Sequence, residues 1–174
     1  MASIARCLRV ARPTAFPAVV RNSISRGVAA RAFSVTASNA LRKYTKEHEW
    51  IDLSADKKTG VLGISEYAAK QLGDIVYVEL PEEGKEVQAG DAIGAVESVK
   101  SAADINAPVS CKITQVNLVL EEKPGTINQV AEDDSHGGGW IAKVQLTEEG
   151  LKEFDESLMD VATYEEFTAL EGEH

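Results

Sequence analysis

Apolar and polar positions alternate in short runs from Tyr44 onward, and turn-forming residues interrupt them every few positions. Trp50, Ile51, Asp52 and Leu53 predict one strand, and residues 60–64 predict its hairpin partner across a polar turn at 55–59. Ser65 is placed to cap a short helix over 66–72, with Gly73 able to take the left-handed conformation that stops it. Residues 74–80 alternate again, which puts Val76, Val78 and Leu80 on one face before Pro81 removes a donor and ends the strand. Small apolar runs at 92–96, at Ile105 with Pro108 and Val109, and at 112–117 predict further strands. Close turn signals at 82–84 and 89–91 divide them. Lys123, Pro124 and Gly125 fit a type II turn, proline setting the first central torsion and glycine the second. After a last strand at 140–146 the period changes to three and four. Leu151, Phe154 and Leu158 then form one helical stripe and Val161, Tyr164 and Phe167 another, with Thr147 and Asp160 as caps. Many short strands followed by terminal helices predict a compact β barrel or sandwich with peripheral helices.

Charge divides the chain in two. The first acidic residue is Glu47, and nine basic residues precede it among many Ala, Ser and Val. Arg-rich and acid-free, this stretch predicts a mitochondrial presequence over residues 1–40 and a location in the mitochondrial matrix. The run Arg31, Ala32, Phe33, Ser34, Val35, Thr36 fits two-step processing, with a mature start near Ser34 or Leu41 and a carrier domain over 41–174. A basic arm for nucleic acid is the competing reading of the same residues. From Glu47 onward 9 lysines face all 28 acidic residues, 9 minus 28 giving −19, a field that repels nucleic acid and anionic lipid. Cys111 is the single cysteine beyond the leader, so no intrachain disulfide is expected. No apolar run approaches the roughly 18 residues of a membrane span, and one domain accounts for the rest of the length.

Enzymatic chemistry finds little support. His48, His136 and His174 lack the paired spacing of a zinc site, and no metal is expected. The run His136, Gly137, Gly138, Gly139 reads as a mobile loop, and residues 63–67 do not form a G-x-S-x-G elbow. Lys100 stands apart by its setting. Ser98, Ser101, Ala102 and Ala103 surround it with small side chains between two apolar runs of hairpin length. An amine to be modified must enter another enzyme's active site, so a rigidly based, uncrowded lysine suits that purpose.

The run Glu97, Ser98, Val99, Lys100, Ser101 resembles the lipoyl-attachment motif of the H proteins of the glycine cleavage system. Further segments agree in order: Lys43, Tyr44, Thr45 with Glu47, His48, Glu49, Trp50; then Leu72, Gly73, Asp74 through Leu80, Pro81; then Ala107 to Ser110; then Lys123, Pro124, Gly125; then Gly139, Trp140. The resemblance implies a mainly β fold, the lipoyl-type barrel-sandwich hybrid with short peripheral and C-terminal helices. It also implies lipoic acid in amide linkage to Lys100 and no catalysis by the chain itself. The implied function is to shuttle the aminomethyl group of glycine from the pyridoxal-phosphate glycine decarboxylase to the aminomethyltransferase, and electrons to dihydrolipoyl dehydrogenase. A lipoylating enzyme is a fourth implied partner, and a monomer forming transient complexes is expected. Glu49 and Asp104 match the acidic positions of the cleft into which the family's loaded arm folds.

The sequence departs from the family pattern in places. Cys111 stands where glycine is common, Leu118 replaces a residue that is often polar, and the segment 129–139 is longer than usual. Two other functions remain open at this point: a lipoate donor serving other lipoylated enzymes, and a biotinyl carrier. Against the second, Val99 and Ser101 flank the lysine where methionines are typical of biotinyl carriers.

Overall fold

The computed structural model describes residues 41–172; the expected presequence and its processing sites lie outside the described residues. Nine strands and five helices follow in order: β1 (Leu41–Tyr44), β2 (Glu49–Leu53), β3 (Thr59–Ile64), α1 (Glu66–Leu72), β4 (Ile75–Glu79), β5 (Glu86–Val87), β6 (Ala92–Ser98), β7 (Ala102–Asn106), β8 (Cys111–Val116), α2 (Val119–Glu122), α3 (Thr126–Val130), β9 (Ala142–Leu146), α4 (Glu148–Glu156) and α5 (Val161–Glu171).

These strands form two open antiparallel sheets, one of six strands in the order β1-β2-β3-β9-β8-β5 and one of three in the order β4-β6-β7. The expected barrel-sandwich hybrid is therefore corrected to a mixed α/β architecture in which no sheet closes into a barrel. The physical reason lies in the pairing. Among the described residues the large sheet ends on the two-residue β5 at one edge and on β1 at the other, whose outer side makes only a bridge from Tyr44 to Met159. The β6–β7 hairpin pairs with β4 and joins no strand of the larger sheet. Both sheets contribute to one apolar core, Ile51, Leu62, Ile113 and Val144 from the large sheet and Ile75, Val78, Val96 and Ile105 from the small one. Strand β2 is buried on both faces, because Trp50 turns away from that core into a second cluster with Tyr44, Trp140 and Tyr164.

Local readings fare unevenly. The β2–β3 hairpin is present, Ser65 caps α1 by accepting from Ala68 N, and Thr147 and Asp160 cap α4 and α5 through Gly150 N and Thr163 N. Gly73 has φ 80° but ψ −146°, an extended left-sided conformation open to glycine and distinct from the helical one expected. In β4 the inward residues are Ile75 and Val78, and Val76 is exposed. A register shift between Ile75 and Tyr77 inserts Val76 as an extra residue and breaks the alternation. The turn at Lys123 is not type II. Gly125 has φ −62° and ψ −6°, while Thr126 N donates to Lys123 O, so the chain is already turning right-handed into α3. Cys111 begins a strand and has no positive φ.

Candidate functional site

Lys100 is the middle residue of the connection Val99, Lys100, Ser101 between β6 and β7; continuing the register that pairs Glu97 with Ala102 sets Ser98 opposite Ser101, so the turn itself has two central residues, Val99 and Lys100. Such loops favour primed turns with positive φ, yet neither residue has it. Side-chain bonds from Ser98 reinforce the turn instead. Its Oγ accepts from Lys100 N at 3.1 Å and from Ser101 N at 3.0 Å, and donates to Ser101 O at 3.0 Å. Ser98 N also donates to Ser101 O at 2.8 Å. Lys100 and Ser101 are exposed, and so is Val99, at 74%.

The loop is braced from one side. Val99 N donates to Asp74 O at 3.1 Å, and the Lys100 stem lies across Gly73, where a Cβ would stand 3.3 Å from Nζ. The expected protruding hairpin thus has a fixed root.

Register places the other candidates. Tyr77 lies opposite Glu97, which lies opposite Ala102; Glu79 lies opposite Ala95, which lies opposite Asp104. Cross-strand partners share a face, so Tyr77, Glu79, Glu97 and Asp104 all project from the outer face of the small sheet. Asp104 is exposed, four residues beyond Lys100 and so at most about 13 Å away along the strand.

Glu49 is placed differently. It is 1% exposed, and its Oε1 accepts from Asn106 N at 2.9 Å and from Asn106 Nδ2 at 3.1 Å, while its Oε2 accepts from Thr45 Oγ1. Asn106 shares its strand face with Asp104, so a row Ala102, Asp104, Asn106 leads from the lysine to the Glu49 carboxylate. A cleft of about 320 Å³ opens there, lined by Thr45, Lys46, Glu49, Asn106, Pro108 and Leu158 among others. Glu49 thus lines this cleft, whereas Asp104 is exposed two residues before Asn106 on β7 and is not part of the lining. Sequence reading missed Asn106 and Thr45. Asn106 lies 57 positions from Glu49, and nothing in its local pattern marks it.

Comparison with known proteins finds a family match and several relatives. The family model described as Glycine cleavage H-protein matches residues 42–171. A glycine cleavage system H protein of Thermotoga maritima is 45% identical over 131 residues, covering 75% of this chain and 98% of that protein. Glycine cleavage system H protein 2, mitochondrial, of Arabidopsis thaliana is 44% identical over 140 residues, covering 80% and 83%. The crystal structure of a glycine cleavage system H protein from Mycobacterium marinum superposes with a TM-score of 0.61 at 36% identity, over 76% of this chain and 98% of that one.

Proposed function

Because the chain belongs to the glycine cleavage H-protein family, and so is a lipoyl carrier of glycine cleavage and not an enzyme, we propose that Lys100 is the lysine that bears the lipoyl group. The carrier shuttles the aminomethyl group of glycine from the decarboxylase to the aminomethyltransferase and passes electrons to dihydrolipoyl dehydrogenase. When bound, the lipoyl group supplies disulfide and dithiol chemistry; the chain's residues supply attachment, orientation and shelter. The observation that carries the assignment is the exposed Lys100 on a hairpin turn that Ser98 fixes by three side-chain bonds. A lipoyl-lysyl arm reaches on the order of a nanometre or more. Asp104 therefore falls within its sweep, and the Glu49 cleft lies further along the same row.

Within this reading Asp104 and Glu49 receive the protonated nitrogen of the carried group through charge-assisted hydrogen bonds and shelter it from water. Pyridoxal-phosphate glycine decarboxylase, the aminomethyltransferase, dihydrolipoyl dehydrogenase and a lipoylating enzyme are the partners, each met transiently by a monomer. The mitochondrial matrix is the compartment, supported by the acid-free basic stretch before Glu47 and by the plant relative's mitochondrial designation. Intact mass and peptide mapping of native protein should show one lipoyl group on Lys100, and Lys100→Arg should abolish both the adduct and glycine cleavage. An unmodified Lys100 in active protein overturns the assignment. Glu49→Gln with Asp104→Asn should hasten loss of the carried group to water; unchanged hydrolysis removes the two acids from the reading.

A further inference from the structure

Asn128 lies on α3, but its carboxamide serves the junction between α1 and β4. Its Nδ2 donates to Gly73 O at 2.7 Å and its Oδ1 accepts from Ile75 N at 2.9 Å, so one side chain spans the two-residue link of Gly73 and Asp74 as far as the first residue of β4. That link braces the lysine turn. Asp74 O receives the Val99 N–H, and Gly73 supplies the surface on which the Lys100 stem lies, 3.3 Å from Nζ and 3.4 Å from Cε to where a Cβ would be. Gly73 is also held at φ 80° and ψ −146°, a conformation that only glycine adopts readily.

We infer that Asn128 is a positioning residue for the carrier lysine: by bridging Gly73 and Ile75 it keeps the junction in the shape that receives the Val99 N–H and leaves room for the Lys100 stem. The inference rests on the reading of Lys100 as the carrier residue. Among the described residues the Asn128 side chain hydrogen-bonds Gly73 O and Ile75 N and not Lys100, so it acts through the backbone of residues 73–75. The consequence is directional. A lysine whose root is fixed enters a modifying active site from one defined angle, whereas a small acylating reagent in water takes the amine from any angle.

The test uses unlipoylated full-length protein with Asn128→Ala and Asn128→Asp, the second keeping an acceptor for Ile75 N while losing the donor to Gly73 O. Amide exchange should rise by about fivefold or more at Val99, the yield of roughly one lost hydrogen bond, with exchange in β2 and β3 unchanged. Enzymatic transfer of lipoate from lipoyl adenylate should fall several-fold in kcat/KM, while acetylation of Lys100 by acetic anhydride keeps its wild-type rate. Gly73→Ala should reproduce both effects from the other side of the bridge. Unchanged Val99 exchange overturns the inference, as does a rise spread evenly over all amides or an equal loss of enzymatic and chemical acylation. Peptide mapping of the wild-type product separates the two readings. A lipoyl group on another lysine sinks the carrier assignment and with it the positioning role, whereas a lipoyl group on Lys100 with variants that behave as wild type sinks the positioning role alone.

Discussion

With both oxygens engaged and almost no exposure, Glu49 ties Asn106 of β7 to the segment before β2, so its replacement reads out stability as well as the cleft. Glu49→Ala would strand the Asn106 N–H and amide, and a loss of about 3 kcal/mol in urea unfolding is expected. Glu49→Gln keeps an acceptor for Asn106 and should cost about 1 kcal/mol or less, which makes it the substitution for testing the cleft. Ser98→Ala removes three bonds at a partly exposed turn. It should leave the unfolding midpoint within about 1 kcal/mol of wild type while raising amide exchange at Lys100 and Ser101. Cys111 gives a simpler readout. Burial, aided by the Glu153 charge, pushes its thiol up to about 12, so native protein at neutral pH should react with a thiol reagent only as fast as it unfolds. Lys100 was legible because small neighbours and flanking apolar runs are local facts. The burial of Glu49 was not, because its partner is brought up by a hairpin that begins more than forty residues later.

The helix α5 shows how an element is held by a few polar aromatic contacts. Tyr164 stacks on Tyr44 with ring centroids 4.2 Å apart, and its hydroxyl meets Ser65 Oγ at 2.7 Å and His48 Nδ1 at 2.9 Å. Tyr44 donates to Glu132 Oε2 at 2.7 Å. Burial, with Glu132 and Glu171 nearby, pushes the Tyr164 phenol up to about 12, and burial followed by the Glu132 bond raises that of Tyr44. An unfolded tyrosine ionises near about 10, so the fold favours the neutral phenols. Their contribution is fully present below about pH 10 and is lost as pH rises through the folded values. Thermal midpoints should therefore fall between about pH 10 and pH 12, in step with phenolate absorbance and loss of helical signal from α5. A midpoint flat across that window refutes the role of the tyrosines. Both terminal helices were legible from their stripes and from the caps Thr147 and Asp160. The helices α2 and α3 were not, being four and five residues long and preceded by Leu118 and Gly125, which make no side-chain cap bond. The bulge at Val76 escaped notice for a related reason, since one inserted residue leaves the apolar composition of β4 unchanged.

Most strands could be anticipated from their place along the chain, the short β1 and β5 excepted, but pairing and closure could not, because partners such as β5 with β8 and β3 with β9 join residues far apart in sequence. The distribution of charge was legible throughout, and the fold concentrates it. Glu79, Glu97 and Asp104 stand on the outer face of the small sheet around Tyr77, with Lys100 at the end of the same hairpin. Acylation of Lys100 would remove its positive charge and leave Glu79, Glu97 and Asp104 as the charges that register sets on that face. A partner that takes the arm into its active site thus meets a negative face beside it, and complementary charge accelerates encounter more than it strengthens the bound complex. At low salt the second-order rate of glycine-dependent reduction of the arm should be highest, and it should fall several-fold as ionic strength rises from about 0.02 to about 0.3 M, with the Debye length shrinking from roughly 20 to below 10 Å. Glu79→Gln combined with Glu97→Gln should lower the low-salt rate and flatten that dependence, while the rate at saturating carrier stays close to wild type. A wild-type rate indifferent to salt would instead leave the apolar contact at Val76, Tyr77 and Val99 as the driving term of the encounter.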